Sequence, residues 1–193
     1  MNCHIKTIFF NFKFVLYAIV FVGQSLSFAG SYEDFFSAIR NDDSATVQSL
    51  LKRGFDGNVR APNGQSALFL AVREDASKII QALLDWPKIN AEARNSADES
   101  ALMLASLKGQ ARLVQTLIDK GADVNKPGWA PLHYAATRGH LDVMNILLEN
   151  HAYIDASSPN GSTPLMMAAL YGTPSAVKLL LEAGADPTIK NAL

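Results

Sequence analysis

The sequence predicts an all-α solenoid in which short helix–turn–helix units stack side by side. Two columns of residues recur with one period. Alanine stands at positions 38, 71, 105, 135 and 168, which are 33, 34, 30 and 33 residues apart. A leucine follows twelve residues after each alanine and repeats the same spacings. Two columns in register indicate a repeat architecture, because each unit buries its apolar face only against its neighbours.

Residues 1–29 precede the repeats and have the pattern of a secretory signal peptide. They contain no acidic residue, and Lys6 and Lys13 supply positive charge before the apolar run. An unbroken apolar run covers residues 14–22, and small residues stand at Ser27 and Ala29. This pattern predicts cleavage after Ala29. A retained anchor is the alternative, although the nine-residue run is too short to cross about 30 Å of hydrocarbon.

The net charge and the cysteine content limit the functional classes and the compartments that are open to this protein. The formal net charge is -1, so the basic excess that drives nucleic-acid binding is absent. The single cysteine, Cys3, lies in the predicted signal segment. The remaining domain, residues 30–193, would contain no thiol and would tolerate an oxidising compartment. We expect a periplasmic location, with secretion as the alternative, and no membrane association after cleavage.

The repeats divide the domain into five units, approximately 31–63, 64–97, 98–127, 128–160 and 161–193. The first is cap-like, because polar Glu33 and Asp34 replace its opening signature and leave one solvated face. In the later units the first helix is predicted to start at Ser66, Ser100 or Thr163, whose side-chain oxygen can accept from a free backbone N–H. Unit four departs from this rule, since alanine occupies the capping position there.

Proline and glycine mark the remaining helix ends. Pro131 and Pro164 follow the capping position, where a missing N–H costs nothing. The second helix of each unit carries an apolar stripe at helical spacing. Gly121 and Gly184 then predict a left-handed stop. In unit two Pro87 stands where glycine would close the helix, so that turn must be built differently.

The segments 130–136 and 163–169 read APLHYAA and TPLMMAA, and Gly-Ala-Asp recurs at 121–123 and 184–186. These residues resemble the ankyrin repeat, whose fingerprint is Thr-Pro-Leu-His, then Ala, then Leu-Leu and Gly-Ala-Asp. The resemblance implies an ankyrin-repeat solenoid with short β-hairpin fingers and, with the signal segment, favours a bacterial periplasmic protein. The residues taken as the structural signature are Ala71, Ala105, Gly121, Pro131, Leu132, His133, Ala135, Thr163, Pro164, Leu165, Ala168 and Gly184.

The sequence contains no recognisable catalytic, metal or cofactor pattern. The histidines lack zinc-ligand spacing, and neither Gly-x-Ser-x-Gly nor a phosphate-binding loop occurs. By resemblance, His133 bridges neighbouring units. Asn160-Gly-Ser162 matches a glycosylation sequon but also a turn, and the turn is favoured because Asn63-Gly64 occupies the equivalent place. We therefore expect a protein that is not an enzyme and binds no cofactor.

The resemblance implies that an unidentified partner protein is bound by the finger tips and by the concave surface of the first helices. An exported protein-binding scaffold is the favoured function. The alternatives are a secreted effector acting on a host protein, or an enzyme with an unrecognised site. The candidate partner-binding residues are Arg60, Asn63, Arg94, Asn95, Asp98, Lys126, Trp129, Tyr134, Arg138, Asn160 and Tyr171.

Two points stay open at this level. Trp129 is either a contact for the partner or packs on the neighbouring finger. No polar helix follows unit five, so its helices should show apolar side chains to solvent. We therefore expect a monomer, or a weak dimer formed through that unit.

Overall fold

The computed structural model describes residues 30–192, so the predicted signal peptide lies outside the described residues. Helices account for most of this range, and no helix in it is long and apolar enough to cross a membrane. The helices are α1 (30–40), α2 (Ser44–Lys52), α3 (Ala67–Arg73), α4 (Ser77–Leu84), α5 (Ala101–Lys108), α6 (Ala111–Asp119), α7 (Pro131–Arg138), α8 (Leu141–Glu149), α9 (Pro164–Tyr171) and α10 (Pro174–Glu182).

The helices form two layers, which confirms the predicted solenoid. Within a unit the first helix packs on the second, as in α5 on α6 and α7 on α8. Between units the first helices pack in series, α3 on α5, α5 on α7 and α7 on α9. Second helices also contact across units, as in α6 on α8. Each unit therefore takes its core from its neighbours.

The two sequence columns form the centre of this core. Every alanine of the first column and every leucine of the second is buried. The small alanine side chain lets adjacent first helices approach closely, which explains why a larger residue does not recur there. Around the columns the buried residues of all five units join into one continuous apolar cluster.

Helix starts follow the predicted capping chemistry. Ser66 Oγ accepts from the Phe69 backbone N–H at 3.2 Å, and Ser100 Oγ accepts from Met103 at 3.3 Å. Thr163 Oγ1 does the same at the start of α9. At the start of α7, Ala130 offers no capping oxygen, as the sequence indicated, and His133 Nδ1 accepts from the Ala130 backbone N–H instead.

The helix stops also agree with the sequence. Gly121 and Gly184 have φ values of 85° and 98°, the left-handed conformation that ends a helix. His151 takes the same role in unit four with φ of 65°. Helix α4 ends differently, since residues 85–90 are all described and none of them has a positive φ. The turn after α4 is thus built without a left-handed residue.

The fingers are tighter than the β-hairpins that the resemblance implied. The described residues contain one isolated β-bridge, between Arg60 and Ser66. Elsewhere a finger closes through two backbone hydrogen bonds across its turn, as from Asn95 N to Glu99 O at 2.9 Å and from Asp98 N to Asn95 O at 3.0 Å. Such short tips leave room for a single bridging pair rather than for strands.

Candidate protein-binding surface

Ion pairs join the charged finger residues of units two and three. Arg94 pairs with Glu92 at 2.5 Å, Asp123 at 3.3 Å and Asp98 at 3.4 Å. Lys126 pairs with Asp98, and its side chain is only 7% exposed. The hydrogen bond to Glu92 raises the pKa of Arg94, and the bond to Lys126 lowers the pKa of Asp98. Three predicted contact residues, Arg94, Asp98 and Lys126, therefore bind one another.

Four more of the predicted tip residues build the turns themselves, namely Arg60, Asn63, Asn95 and Asn160. The Arg60 guanidinium donates to the backbone oxygen of Arg94 and so joins two fingers. Asn95 Oδ1 accepts from the Glu99 backbone N–H at 2.9 Å. Asn160 Oδ1 accepts from Ser162 N at 3.3 Å, the turn that the sequence favoured. The polar groups used in these bonds are not free for a partner.

Trp129 and Tyr134 lie together where the finger that precedes α7 meets that helix. Their ring centroids are 6.5 Å apart in an edge-on arrangement, and the Trp129 ring is 5.4 Å from the ring of His133. Trp129 thus packs on its own first helix, yet both aromatic side chains keep part of their surface in solvent. Burial, followed by the negative charges of Glu99 and Asp98, raises the pKa of Tyr134. The edge-on contact with Trp129 places the Tyr134 ring beside the finger that precedes α7.

The position of Tyr134 is apolar in every unit from the second to the fifth. Leu70, Leu104 and Met167 are its equivalents, each one residue before the alanine column. Leu70 is buried, but Leu104, Tyr134 and Met167 are partly exposed. By this equivalence they form a row on the finger side of the first helices, called here the inner strip. Tyr134 was predicted from the sequence, whereas Leu104 and Met167 were not, because their only signal was their place beside the alanines.

Two predicted residues at the ends of first helices are unengaged. Arg138 and Tyr171 are exposed, and neither has a hydrogen bond or ion pair with residues 30–192. The equivalent of Arg138 in unit three behaves differently. Lys108 donates to the Val72 and Arg73 carbonyls at 3.0 Å and closes the end of α3. A cation at this position is therefore structural in unit three and free in unit four.

The neighbouring column, Phe69, Met103 and His133, is buried and belongs to the stack. His133 Nδ1 accepts from Ala130 N at 3.1 Å, so Nε2 carries the proton and donates to Ser162 O at 3.0 Å. Burial lowers the pKa of His133, which favours this neutral form. The His133 ring thus joins Ala130 of unit four to Ser162 of unit five. Within residues 30–192 no group of three or more metal-ligating side chains comes together.

Comparison with known proteins agrees with this architecture. The sequence matches the family described as "Ankyrin repeats (3 copies)" over residues 35–127 and 124–191. Similar proteins include the nuclear factor NF-kappa-B p105 subunit of Gallus gallus, 32% identical over 80% of this chain and 16% of that protein. Transient receptor potential cation channel subfamily A member 1 of Homo sapiens is 30% identical over 79% of this chain and 15% of its own length.

The B-cell lymphoma 3 protein homolog of Mus musculus is 32% identical over 75% of this chain and 34% of its own length. The chain thus spans about a third or less of the length of these relatives, which extend well beyond the matched part. The family match covers most of residues 30–192 and coincides with the stacked helix pairs. The chain therefore belongs to the ankyrin repeat family.

Proposed function

We propose that this chain is an exported scaffold that holds a partner protein along the inner strip. Ankyrin repeats generally mediate protein–protein interaction. The observation that carries the proposal is the partly exposed row Leu104, Tyr134 and Met167, flanked by Trp129 and by the unpaired Arg138. An apolar row bordered by an aromatic pair and a free cation is the composition of a protein-binding hot spot.

Binding at the inner strip breaks fewer internal ion pairs and hydrogen bonds than binding at the finger tips. The inner strip therefore supports the proposal better than the tips do. A carboxylate of a partner can meet Arg138 without displacing an internal bond, since Arg138 has none within the described residues. A partner that pairs with Arg94 or Lys126 must compete with existing ion pairs. We infer that the tips set the shape of the site and that the inner strip supplies most of the binding energy.

Export is the second part of the proposal and is supported by residues 1–29 alone. Their basic start, apolar run and small residues favour transfer out of the cytoplasm. Expression of the full chain in a Gram-negative cell, fractionation, and mass measurement of the recovered protein would test it. Recovery in the periplasm with residues 1–29 removed is expected. Retention of the uncleaved chain in the cytoplasm would contradict this part.

The binding function is tested by affinity capture with the full chain and by measuring the affinity of each captured protein for variants. Tyr134→Ala and Arg138→Ala are each expected to weaken binding about tenfold or more. Tyr153→Ala and Arg112→Ala are matched controls, because both side chains are exposed and lie outside the inner strip. Equal losses for controls and test variants would refute the assignment of the surface.

A further inference from the structure

Large exposed apolar side chains concentrate in unit five. Residues 30–192 contain four such side chains, and three of them are Leu170 at 65%, Tyr171 at 66% and Leu181 at 45% exposed. The fourth is Tyr153, at 69% exposed. A cluster of this kind marks an interaction surface more often than chance exposure does.

The exposed residues continue a surface that is buried between earlier units. His133, Ala136 and Met144 of unit four are fully buried, and unit five packs on the helices that carry them. Their equivalents in unit five are Met166, Ala169 and Val177. Met166 and Val177 are partly exposed, and Ala169 is exposed.

We name as the end face the apolar surface formed by Met166, Ala169, Leu170, Val177 and Leu181. Its side chains are of the kind that join neighbouring helix pairs within the stack. The end face can therefore pack on another helix pair. The end face is therefore predisposed to bind helices rather than to remain in water.

Charge placement points to a second copy of this chain as the occupant. Lys178 and Glu182 lie one turn apart on α10, with Nζ and Oε1 3.7 Å apart and exposures of 74% and 69%. If two α10 helices meet antiparallel about a two-fold axis, Lys178 of each copy faces Glu182 of the other. A parallel meeting would oppose like charges. The pattern is thus self-complementary in the arrangement that an isologous dimer requires.

We propose that two copies associate through their end faces into a two-fold dimer, with antiparallel α10 helices and reciprocal Lys178–Glu182 pairs at the rim. This proposal does not depend on the proposed function, since the dimer forms without a partner protein. It specifies a contact in which the two repeat stacks meet at their fifth units.

Sedimentation velocity of the full chain from about 1 µM to about 500 µM tests the dimer, since small interfaces associate in this range. The wild-type chain is expected to shift from monomer to dimer. Leu181→Glu is expected to raise the dissociation constant at least tenfold, and Leu170→Glu serves if that variant fails to fold. Tyr153→Glu is the matched control, since Tyr153 is 69% exposed and lies outside the end face. All variants carry the same first 29 residues, so those residues cannot produce a difference among them.

A charge exchange then tests whether Lys178 and Glu182 meet their counterparts across the dimer axis. K178E and E182K should each dissociate more readily alone, because like charges meet across the axis. Mixing the K178E chain with the E182K chain should restore dimers, since the two altered rims are complementary. Loss of the Lys178–Glu182 ion pair within a single α10 helix cannot explain why mixing the two variants restores dimers. The proposal is overturned by a monomeric wild type throughout, by equal behaviour of Leu181→Glu and Tyr153→Glu, or by a mixture that stays monomeric.

Discussion

Protonation of His133 should set how the stability of the repeat stack depends on pH. The ring is fully buried between units four and five and is held neutral. In the unfolded chain a histidine takes up a proton near its ordinary pKa of about 6.5. Because burial lowers the pKa of folded His133, the unfolded state binds more protons between the two pKa values. The contribution of neutral His133 to the free energy of unfolding is therefore fully present above the pKa that histidine has in the unfolded chain. It is lost as the pH falls below that pKa.

The size of this effect has an upper bound. A single group contributes a slope of at most about 1.4 kcal/mol per pH unit. The loss ends once the pH is below the folded pKa, where both states are protonated. His133→Met isolates this contribution, because Met103 occupies the equivalent position in unit three and its Sδ accepts from Ser100 N at 3.4 Å.

A methionine at position 133 should preserve one of the two hydrogen bonds that the His133 ring makes. It can accept from Ala130 N but cannot donate to Ser162 O, which still accepts from Ser158 N at 3.0 Å. Loss of one hydrogen bond to a carbonyl that keeps another partner costs about 0.5–1.5 kcal/mol. We expect His133→Met to be less stable than the wild type by this amount at about pH 7.5, above the titration of free histidine.

Urea unfolding at about pH 7.5 and about pH 5, on either side of the ordinary histidine pKa, measures the change. The difference between wild type and His133→Met should shrink or reverse at the lower pH, because only the wild type carries the penalty. His151→Asn is the control, since His151 is exposed and asparagine tolerates its positive φ. A difference that stays constant between the two pH values would refute the reasoning.

Two further predictions concern the packing between units. Ala135→Leu should lower the free energy of unfolding by about 1–3 kcal/mol, because the buried alanine leaves no room for a larger side chain; an unchanged urea midpoint would contradict close packing there. Asp42→Gly should lower the free energy of unfolding by about 1 kcal/mol, because Asp42 Oδ1 accepts from the backbone N–H groups of Lys78 and Ile79 at 3.1 Å and so holds the start of α4 from the preceding unit. Glycine keeps the φ of 51° without strain, so amide exchange that stays slow at the start of α4 would show that the cap is unimportant.

The fold was predictable because stacking acts on every unit at the same positions. A residue between two first helices must be small, and one between the layers must be apolar, so Ala71, Ala105 and Leu117 appear at fixed intervals. The capping oxygens of Ser66 and Ser100 act within one turn of helix and can be recognised locally. What local sequence dictates was therefore predicted correctly.

The surface was less predictable because its contacts join different units. Arg94 and Asp123 are 29 residues apart in sequence, and only the stacking of the fingers brings them within 3.3 Å. A sequence shows that both are charged and near a tip, but not that they bind each other. Leu104 was missed for the opposite reason, since it lies within an apolar block and only its packing shows that part of its surface remains in solvent.

Comparison of units four and five separates the demands of stacking from those of recognition. The two residues before the glycine that follows the first helix are Thr137 and Arg138 in unit four, but Leu170 and Tyr171 in unit five. Stacking does not require apolar residues at these positions, since unit four stacks on both sides with polar ones. If these positions in unit five faced only water, polar side chains such as those of unit four would be more favourable there than apolar ones. The apolar pair in unit five is therefore best explained by contact with a surface outside its own unit, which is the contact that the proposed dimer supplies.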